Sequence, residues 1–417
     1  MSKLIIEGGS RLSGKIRIPG AKNSILPILA ATVISGKKTV LHDCPLIKDV
    51  ELTLDILRKL GCTVESEGST VTVDSSGVDS HVIDSTLMEK MRSSIIIAGA
   101  IIARMRKAES AYPGGCSLGP RPIDLHIKAF RQMGIEINEN YGNLYFNGEN
   151  LRESDIYLDF PSVGATENIM LAASGLKGKT RIINAAREPE IEDLSAFLNK
   201  IGVKVSGSGG SVIEIEGTDE FTDAEHTIIP DRIVAATYMT AAAVTKGDLL
   251  LENLCYNHIV PTVSLLERMG AKLLMEGDSS LRIKISKRLN NINVIRTAPH
   301  PGFPTDAQSI IMTLSALSSG TGIIIENIFD GRFRHCAELK KMGADISVYG
   351  RLAVIRGVMS LYGAKVTAPD LRSGAGLVVA ALAAKGQTEV SGVEFVERGY
   401  EDIGGALSSL GAKIKKV

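Results

Sequence analysis

The sequence has no net charge to spend on a polyanionic partner. Lys plus Arg equals Asp plus Glu at 47 each, so no overall field draws the chain to nucleic acid or to an acidic membrane surface, and any anion site must be local. It also lacks a long apolar run. The stretch from Ile95 to Ala103 is broken by Gly99 and reaches about half of the ~20 residues that a bilayer-spanning helix needs. The opening residues show no signal-peptide core or cleavage site, and a cytosolic location is expected. The five cysteines, Cys44, Cys62, Cys116, Cys255 and Cys336, form no C-x-x-C pair, which argues against a disulfide framework and against a zinc ribbon. There is no G-x-x-x-x-G-K-[ST] loop, no H-E-x-x-H and no metal-ligand spacing among the seven histidines, so neither a P-loop nor a metal centre is expected. Each histidine reads as a surface or packing residue.

What the 417 residues do contain is a sixfold phrase: an apolar-periodic helix, a glycine, then a short alternating strand. The glycines are Gly61, Gly134, Gly202, Gly270, Gly343 and Gly411, spaced 73, 68, 68, 73 and 68 residues apart. Leu194, Phe197, Leu198 and Ile201 fit the i, i+3, i+4, i+7 stripe of an amphipathic helix, and the glycine is its C-terminal cap. A second helix precedes each phrase and ends at a glycine before a strand, as at Gly36 and Gly247. The unit is therefore helix, strand, helix, strand, strand. The sixth copy stops one strand short, while residues 3–7 form a strand with no helix before it, so the first strand is expected to pair with the last. Three units make a domain of ordinary size. The expected domains are residues 22–229, and residues 1–21 with 230–417, joined by a double linker suited to a hinge.

Charge collects at one edge of these units. The helix opening each unit starts at Lys22-Asn23, Arg92-Ser93, residues 162–166, Asp231-Arg232, Thr305-Asp306 or Arg372-Ser373. Cations there oppose the helix dipole, which suggests bound anions held by backbone N–H groups and charged side chains. The loops before the second helices carry Arg121, Arg187, Arg332 and Arg398. Asp306 has a sufficient structural account, since Thr305 and Gln308 form a capping-box pattern. Residues 112–122 make an enlarged Gly-rich loop with Cys116 near its tip beside Arg121, a setting that lowers a thiol pKa. The other four cysteines lie in periodic elements, where packing explains them.

Seven motifs together, Gly20-Ala21-Lys22-Asn23, Pro113-Gly114-Gly115-Cys116 with Arg121 to His126, residues 162–166, residues 186–190, Phe303-Pro304-Thr305-Asp306, Asp370-Leu371-Arg372 and Glu397-Arg398-Gly399-Tyr400, resemble the UDP-N-acetylglucosamine 1-carboxyvinyltransferases, EPSP synthase-like enolpyruvyl transferases. The resemblance runs through the whole chain in order, and the Gly-Gly-Cys loop separates it from the shikimate-pathway enzymes. It implies a two-domain inverse α/β barrel of six units, three per domain. It also implies transfer of the enolpyruvyl group of phosphoenolpyruvate to the 3′-hydroxyl of UDP-N-acetylglucosamine by addition and elimination, without cofactor or metal, in the first committed step of peptidoglycan synthesis. By the same resemblance Cys116 is the general acid, able to form a covalent phosphoenolpyruvate adduct and alkylated by fosfomycin, and Asp306 takes the hydroxyl proton. Lys22, Arg121 and Arg398 hold the phosphate, with Lys22 and Arg398 among the catalytic residues, Arg332 and Arg372 hold the carboxylate, and Asn23 also binds phosphoenolpyruvate. Asn23, Arg92, Arg121, Pro122, Ile123, Asp124, Leu125, Ser162, Val163, Gly164, Asp306 and Ile328 line the nucleotide-sugar site. Where some members carry Lys, this chain has Phe160. Two alternatives stay open: shikimate 3-phosphate as acceptor, and a non-catalytic nucleotide-sugar-binding paralogue.

Overall fold

A computed structural model describes residues 2–114 and 123–417. They fall into two compact units, residues 2–19 with 230–417, and residues 20–114 with 123–229. Each unit holds three small sheets, six in all, and each repeat follows one plan. In the first repeat the order is helix Lys22–Ser35, strand Lys38–His42, helix Lys48–Lys59, then strands Thr63–Glu67 and Thr70–Asp74. The two helices of a repeat differ in kind. Lys22–Ser35 is buried almost all round, as are Ile96–Met105 and Val163–Ala173, and the three pack on one another in the core of their unit. Lys48–Lys59 is amphipathic, burying Val50, Leu54, Ile56 and Leu57 while Glu51, Asp55 and Arg58 face water, the stripe expected of a helix with one side on a core. The other unit repeats the scheme with Arg232–Thr245, Gln308–Leu317 and Leu371–Ala383 at its centre.

All six phrase glycines have positive φ, from 82° at Gly134 to 108° at Gly202. Left-handed backbone is strained for a residue with a Cβ, and a Cβ at Gly134 would also lie 2.3 Å from the Asn150 carbonyl oxygen. The other helix ends need a correction. Gly36 is left-handed (φ 64°), but before Gly247 the left-handed residue is Lys246 (φ 53°). Gly247 is required for space instead, since a Cβ there would lie 2.7 Å from the Leu12 carbonyl oxygen.

The closing strand pairs as expected. Leu4–Glu7 runs antiparallel to Lys413–Lys416 with Leu4 opposite Lys416, and antiparallel to Gln387–Ser391 on its other edge. A further set of strands was not anticipated. Ser13–Arg17, Asp155–Tyr157, Ala224–Thr227, Val294–Arg296 and Lys365–Thr367 each add to a sheet in parallel. Segments of three to five residues are too short for periodicity to reveal. Their pairing fixes where the chain changes units. Ser13–Arg17 pairs with Asp248–Glu252, whereas the helix that follows it, Lys22–Ser35, lies in the other unit. Ala224–Thr227 pairs with Lys38–His42, whereas the next helix, Arg232–Thr245, does not share its unit. Among the described residues no helix is long and apolar enough to cross a membrane.

Candidate active site

In the unit containing residues 230–417, three of the expected residues meet. Asp306 opens the short 3-10 turn Thr305–Ala307 ahead of helix Gln308–Leu317. Arg332 Nη2 lies 2.6 Å from Asp306 Oδ1, and Arg372 donates to Oδ2 from Nη2 at 3.0 Å and Nε at 3.2 Å. Both guanidinium side chains are almost sealed from water, at 2% and 4% exposure, while the carboxylate keeps 28%. Burial alone would raise the Asp306 pKa, but Arg372 and Arg332 outweigh it and hold the carboxyl well below its usual range. The expected capping box is absent. Thr305 Oγ1 donates instead to the buried carboxylate of Glu326, at 3.1 and 3.0 Å. Glu326 also accepts the N–H groups of Ile328 and Phe329, so it ties Ile328 to the turn bearing Asp306. A charged acceptor with two further donors wins over the weak local bond of Thr305 to its own helix start. Arg398 follows the short helix Val393–Val396, two residues before Tyr400, whose buried hydroxyl shares a hydrogen with Thr237 Oγ1 at 2.7 Å.

Two helix starts expected to receive anions are already filled by the chain itself. Asp231 accepts from the N–H groups of Ile233 and Val234, and Asp370 from those of Arg372 and Ser373. A side-chain carboxylate at the N-cap satisfies the donors that a ligand would otherwise use. Arg187 is exposed, and Glu190 and Glu167 are buried; burial, followed by the nearby Glu190 and Glu188, pushes Glu167 well above the usual carboxylate range.

In the other unit, Lys22 is the first residue of helix Lys22–Ser35, which has no side-chain cap and no acid in its first turn. Its ammonium meets Asp49 Oδ2 at 2.6 Å, both side chains nearly buried. Asp49 was not anticipated, because an acid in the first turn of Lys48–Lys59 reads simply as a dipole partner. Asn23, beside Lys22, is half-buried. A second group of expected residues lies near His126, which follows Ile123 to Leu125 in the chain, feels the charge of Arg92 and sits on a helix that packs against Val163–Ala173. Asn168 Oδ1 accepts the Gly99 N–H at 2.9 Å, which fixes the amide so that Nδ2 donates to the Ile95 carbonyl and to His126 Nδ1 at 3.0 Å. His126 is therefore the Nε2–H tautomer. A Cβ on Gly164 would stand 3.3 Å from the His126 ring, and Ser162 caps Val163–Ala173 by accepting the Ala165 N–H. Phe160 is 41% exposed and its carbonyl accepts the Ser162 N–H. Cys116, Arg121 and Pro122 lie outside the described residues.

Burial, then the charge of Arg92, brings the His126 pKa down to about 4. Burial also brings His335 down to about 4, helped by Arg332 against the pull of Asp370. Both rings fold uncharged, whereas in the unfolded chain they titrate near 6.5. Their stabilising contribution is thus complete above about pH 6.5 and is lost as pH falls from there towards about 4. Glu167, with its raised pKa, works the opposite way over the same window, so the two rings are read directly: an NMR titration should leave both imidazoles uncharged at pH 5. Ring resonances that titrate near 6.5 would show that they are not buried neutral.

The chain is similar to known proteins along its whole length. The family model described as EPSP synthase (3-phosphoshikimate 1-carboxyvinyltransferase) matches residues 6–407. UDP-N-acetylglucosamine 1-carboxyvinyltransferase 2 of Caldanaerobacter subterraneus subsp. tengcongensis is 49% identical over 417 residues, covering all of both chains. The UDP-N-acetylglucosamine 1-carboxyvinyltransferase of Halothermothrix orenii is 45% identical, again over the whole of both. In fold, the chain is similar to the enolpyruvyl transferase NikO from Streptomyces tendae, with a TM-score of 0.91, 24% identity and coverage of 100% of this chain and 99% of that one. It is also similar to an EPSP synthase from Acinetobacter baumannii, with a TM-score of 0.75, 20% identity and the same coverage. The chain belongs to the EPSP synthase family and, within it, to the UDP-N-acetylglucosamine 1-carboxyvinyltransferases.

Proposed function

We propose that this protein transfers the enolpyruvyl group of phosphoenolpyruvate to the 3′-hydroxyl of UDP-N-acetylglucosamine, releasing phosphate, as a cytoplasmic enzyme in the first committed step of peptidoglycan synthesis. The observation that carries this reading is the pair of buried guanidinium groups, Arg332 and Arg372, gathered on one partly exposed carboxylate, Asp306. In the addition step the 3′-oxygen attacks C2 of phosphoenolpyruvate, Asp306 takes the hydroxyl proton and Cys116 gives a proton to C3. In the elimination step a C3 proton is withdrawn, the double bond re-forms and the C2–O bond to phosphate breaks. Lys22, Arg121 and Arg398 hold the departing phosphate, and Asn23 joins them. Arg332 and Arg372 hold the substrate carboxylate. Arg92, Pro122, Ile123, Asp124, Leu125, Ser162, Val163, Gly164 and Ile328 receive the nucleotide sugar.

The free-state geometry gives this mechanism an order. A carboxylate clamped by two arginines is a weak base. When the phosphoenolpyruvate carboxylate takes those arginines, Asp306 loses both partners and its basicity rises towards the ordinary range, ready for the hydroxyl. Phosphate release measured with phosphoenolpyruvate and UDP-N-acetylglucosamine tests the assignment. Release with shikimate 3-phosphate in place of the nucleotide sugar would overturn it.

The domains proposed here, residues 22–229 and residues 1–21 with 230–417, work as the two sides of a hinge. An anionic nucleotide sugar favours the closed population if it binds that state more tightly. Small-angle scattering should then show a smaller radius of gyration with saturating UDP-N-acetylglucosamine. An unchanged radius removes the hinge.

A further inference from the structure

Ser24 lies two residues past Lys22, fully buried in the first turn of helix Lys22–Ser35. Its hydroxyl donates to Asp193 Oδ2, and the Ile229 N–H donates to the same oxygen at 3.3 Å. The other oxygen, Oδ1, lies 2.8 Å from His226 Nε2, and the His226 ring meets Phe197 edge-on at 5.7 Å. Asp193 is carried by Pro189–Lys200 and His226 by Ala224–Thr227. One buried carboxylate thus collects donors from the helix start bearing Lys22, from a sheet strand and from the last residue before the chain leaves this unit. The grip on the helix is double, because the Ile229 carbonyl accepts the N–H of Ala21, the residue preceding that helix, at 2.7 Å. Apolar packing would hold three segments together without the cost of burying an ion. A carboxylate adds direction, fixing each donor by geometry as well as proximity.

We propose that Asp193 is a positioning residue for Lys22 and Asn23, acting through Ser24 and through Ile229 and Ala21. The proposal rests on the reading that Lys22 and Asn23 bind phosphoenolpyruvate. The Lys22 ammonium sits 2.6 Å from Asp49, so phosphate has to share it with a nearby carboxylate. With its first turn fixed by Asp193, the helix keeps its ammonium and N–H groups within reach of the phosphate. With that turn loosened, the helix start no longer holds the ammonium and N–H groups where the phosphate needs them, and the phosphate is bound more weakly. This loss weakens ground-state and transition-state binding alike, which raises KM and spares kcat.

The test is a double-mutant cycle with Ser24→Ala and Asp193→Asn. Each should raise the KM for phosphoenolpyruvate about tenfold, the loss of one hydrogen bond to a charged group, with kcat within about twofold. The double variant should be no worse than the poorer single, since both break one connection. Amide exchange should quicken in residues 21–26 of both variants and at residues 228–230 of Asp193→Asn. A parent-like KM in both variants, effects that multiply in the double variant, or unchanged exchange would each overturn the proposal. Should Asp193→Asn fail to fold, Ser24→Ala decides alone. Should the parent protein show no transfer between phosphoenolpyruvate and UDP-N-acetylglucosamine, the functional reading falls, and the exchange rates still decide whether Asp193 holds these segments.

Discussion

Asp306→Ala should bind phosphoenolpyruvate more tightly than the parent protein while losing most of its turnover. In the parent, an incoming carboxylate has to displace Asp306 from Arg332 and Arg372, whose side chains are 2% and 4% exposed. Removing Asp306 leaves two buried cations without their shared counter-charge, at a cost of about 3 kcal/mol in stability. Arg332 keeps its bond to the Thr305 carbonyl, and Arg372 keeps the neutral Tyr400 hydroxyl as a hydrogen-bond partner and the nearby charge of Asp231, so the fold should survive. Phosphoenolpyruvate then supplies the missing charge and should bind on the order of tenfold more tightly, the worth of a charge-assisted bond no longer contested. Without the group that accepts the hydroxyl proton, turnover should fall ~10²- to 10⁴-fold. Calorimetry gives the affinity, and melting with and without phosphoenolpyruvate gives the stabilisation. If phosphoenolpyruvate stabilises the variant no more than the parent, the arginine pair is not the carboxylate site. Asp306→Asn, which keeps the volume, serves should the alanine variant prove too unstable.

The repeats were legible because each carries its own local signal. A glycine that must take positive φ after an amphipathic helix is written in the sequence six times, and the spacing exposed the plan and the lone closing strand. The parallel strands such as Asp155–Tyr157 were not legible, since three residues carry no period. At the site, the residue types were visible and their pairings were not. Arg332, Arg372 and Asp306 stood out as charges near helix starts, yet nothing local says that the arginines spend themselves on Asp306 across separations of 26 and 66 residues. The capping-box expectation failed for the same reason, as Glu326, 21 residues away, captured the Thr305 hydroxyl. Asp49, Asn168 and Asp193 carry no local signal, because each sits in a helix where an acid or amide has an ordinary explanation. Their roles come from neighbours brought in by tertiary packing, which local pattern does not encode.

Cys116→Ser should lose most of the turnover that Cys116→Asp retains, although serine is the closer match in size. Addition to an enol phosphate requires a proton at C3 as the 3′-oxygen attacks C2, because protonation at carbon develops the oxocarbenium character that the oxygen traps. The donor therefore needs a pKa near the working pH. A free thiol titrates near ~8.5 and falls beside positive charge, such as Arg121, whereas a serine hydroxyl is far too weak an acid. Burial pushes Cys44, Cys62 and Cys336 up to about 12, where they neither donate nor attack at neutral pH. An aspartate at position 116 keeps an acid of lower pKa, so turnover should persist with its optimum moved to lower pH. Serine should cost ~10²- to 10⁴-fold in kcat. The affinity for UDP-N-acetylglucosamine should change much less in either variant, since the missing interaction is made chiefly in the transition state. Steady-state kinetics across pH, paired with equilibrium binding of the nucleotide sugar, separates these terms. If Cys116→Ser turned over like the parent at saturating substrates, proton donation at C3 would have to come from another group.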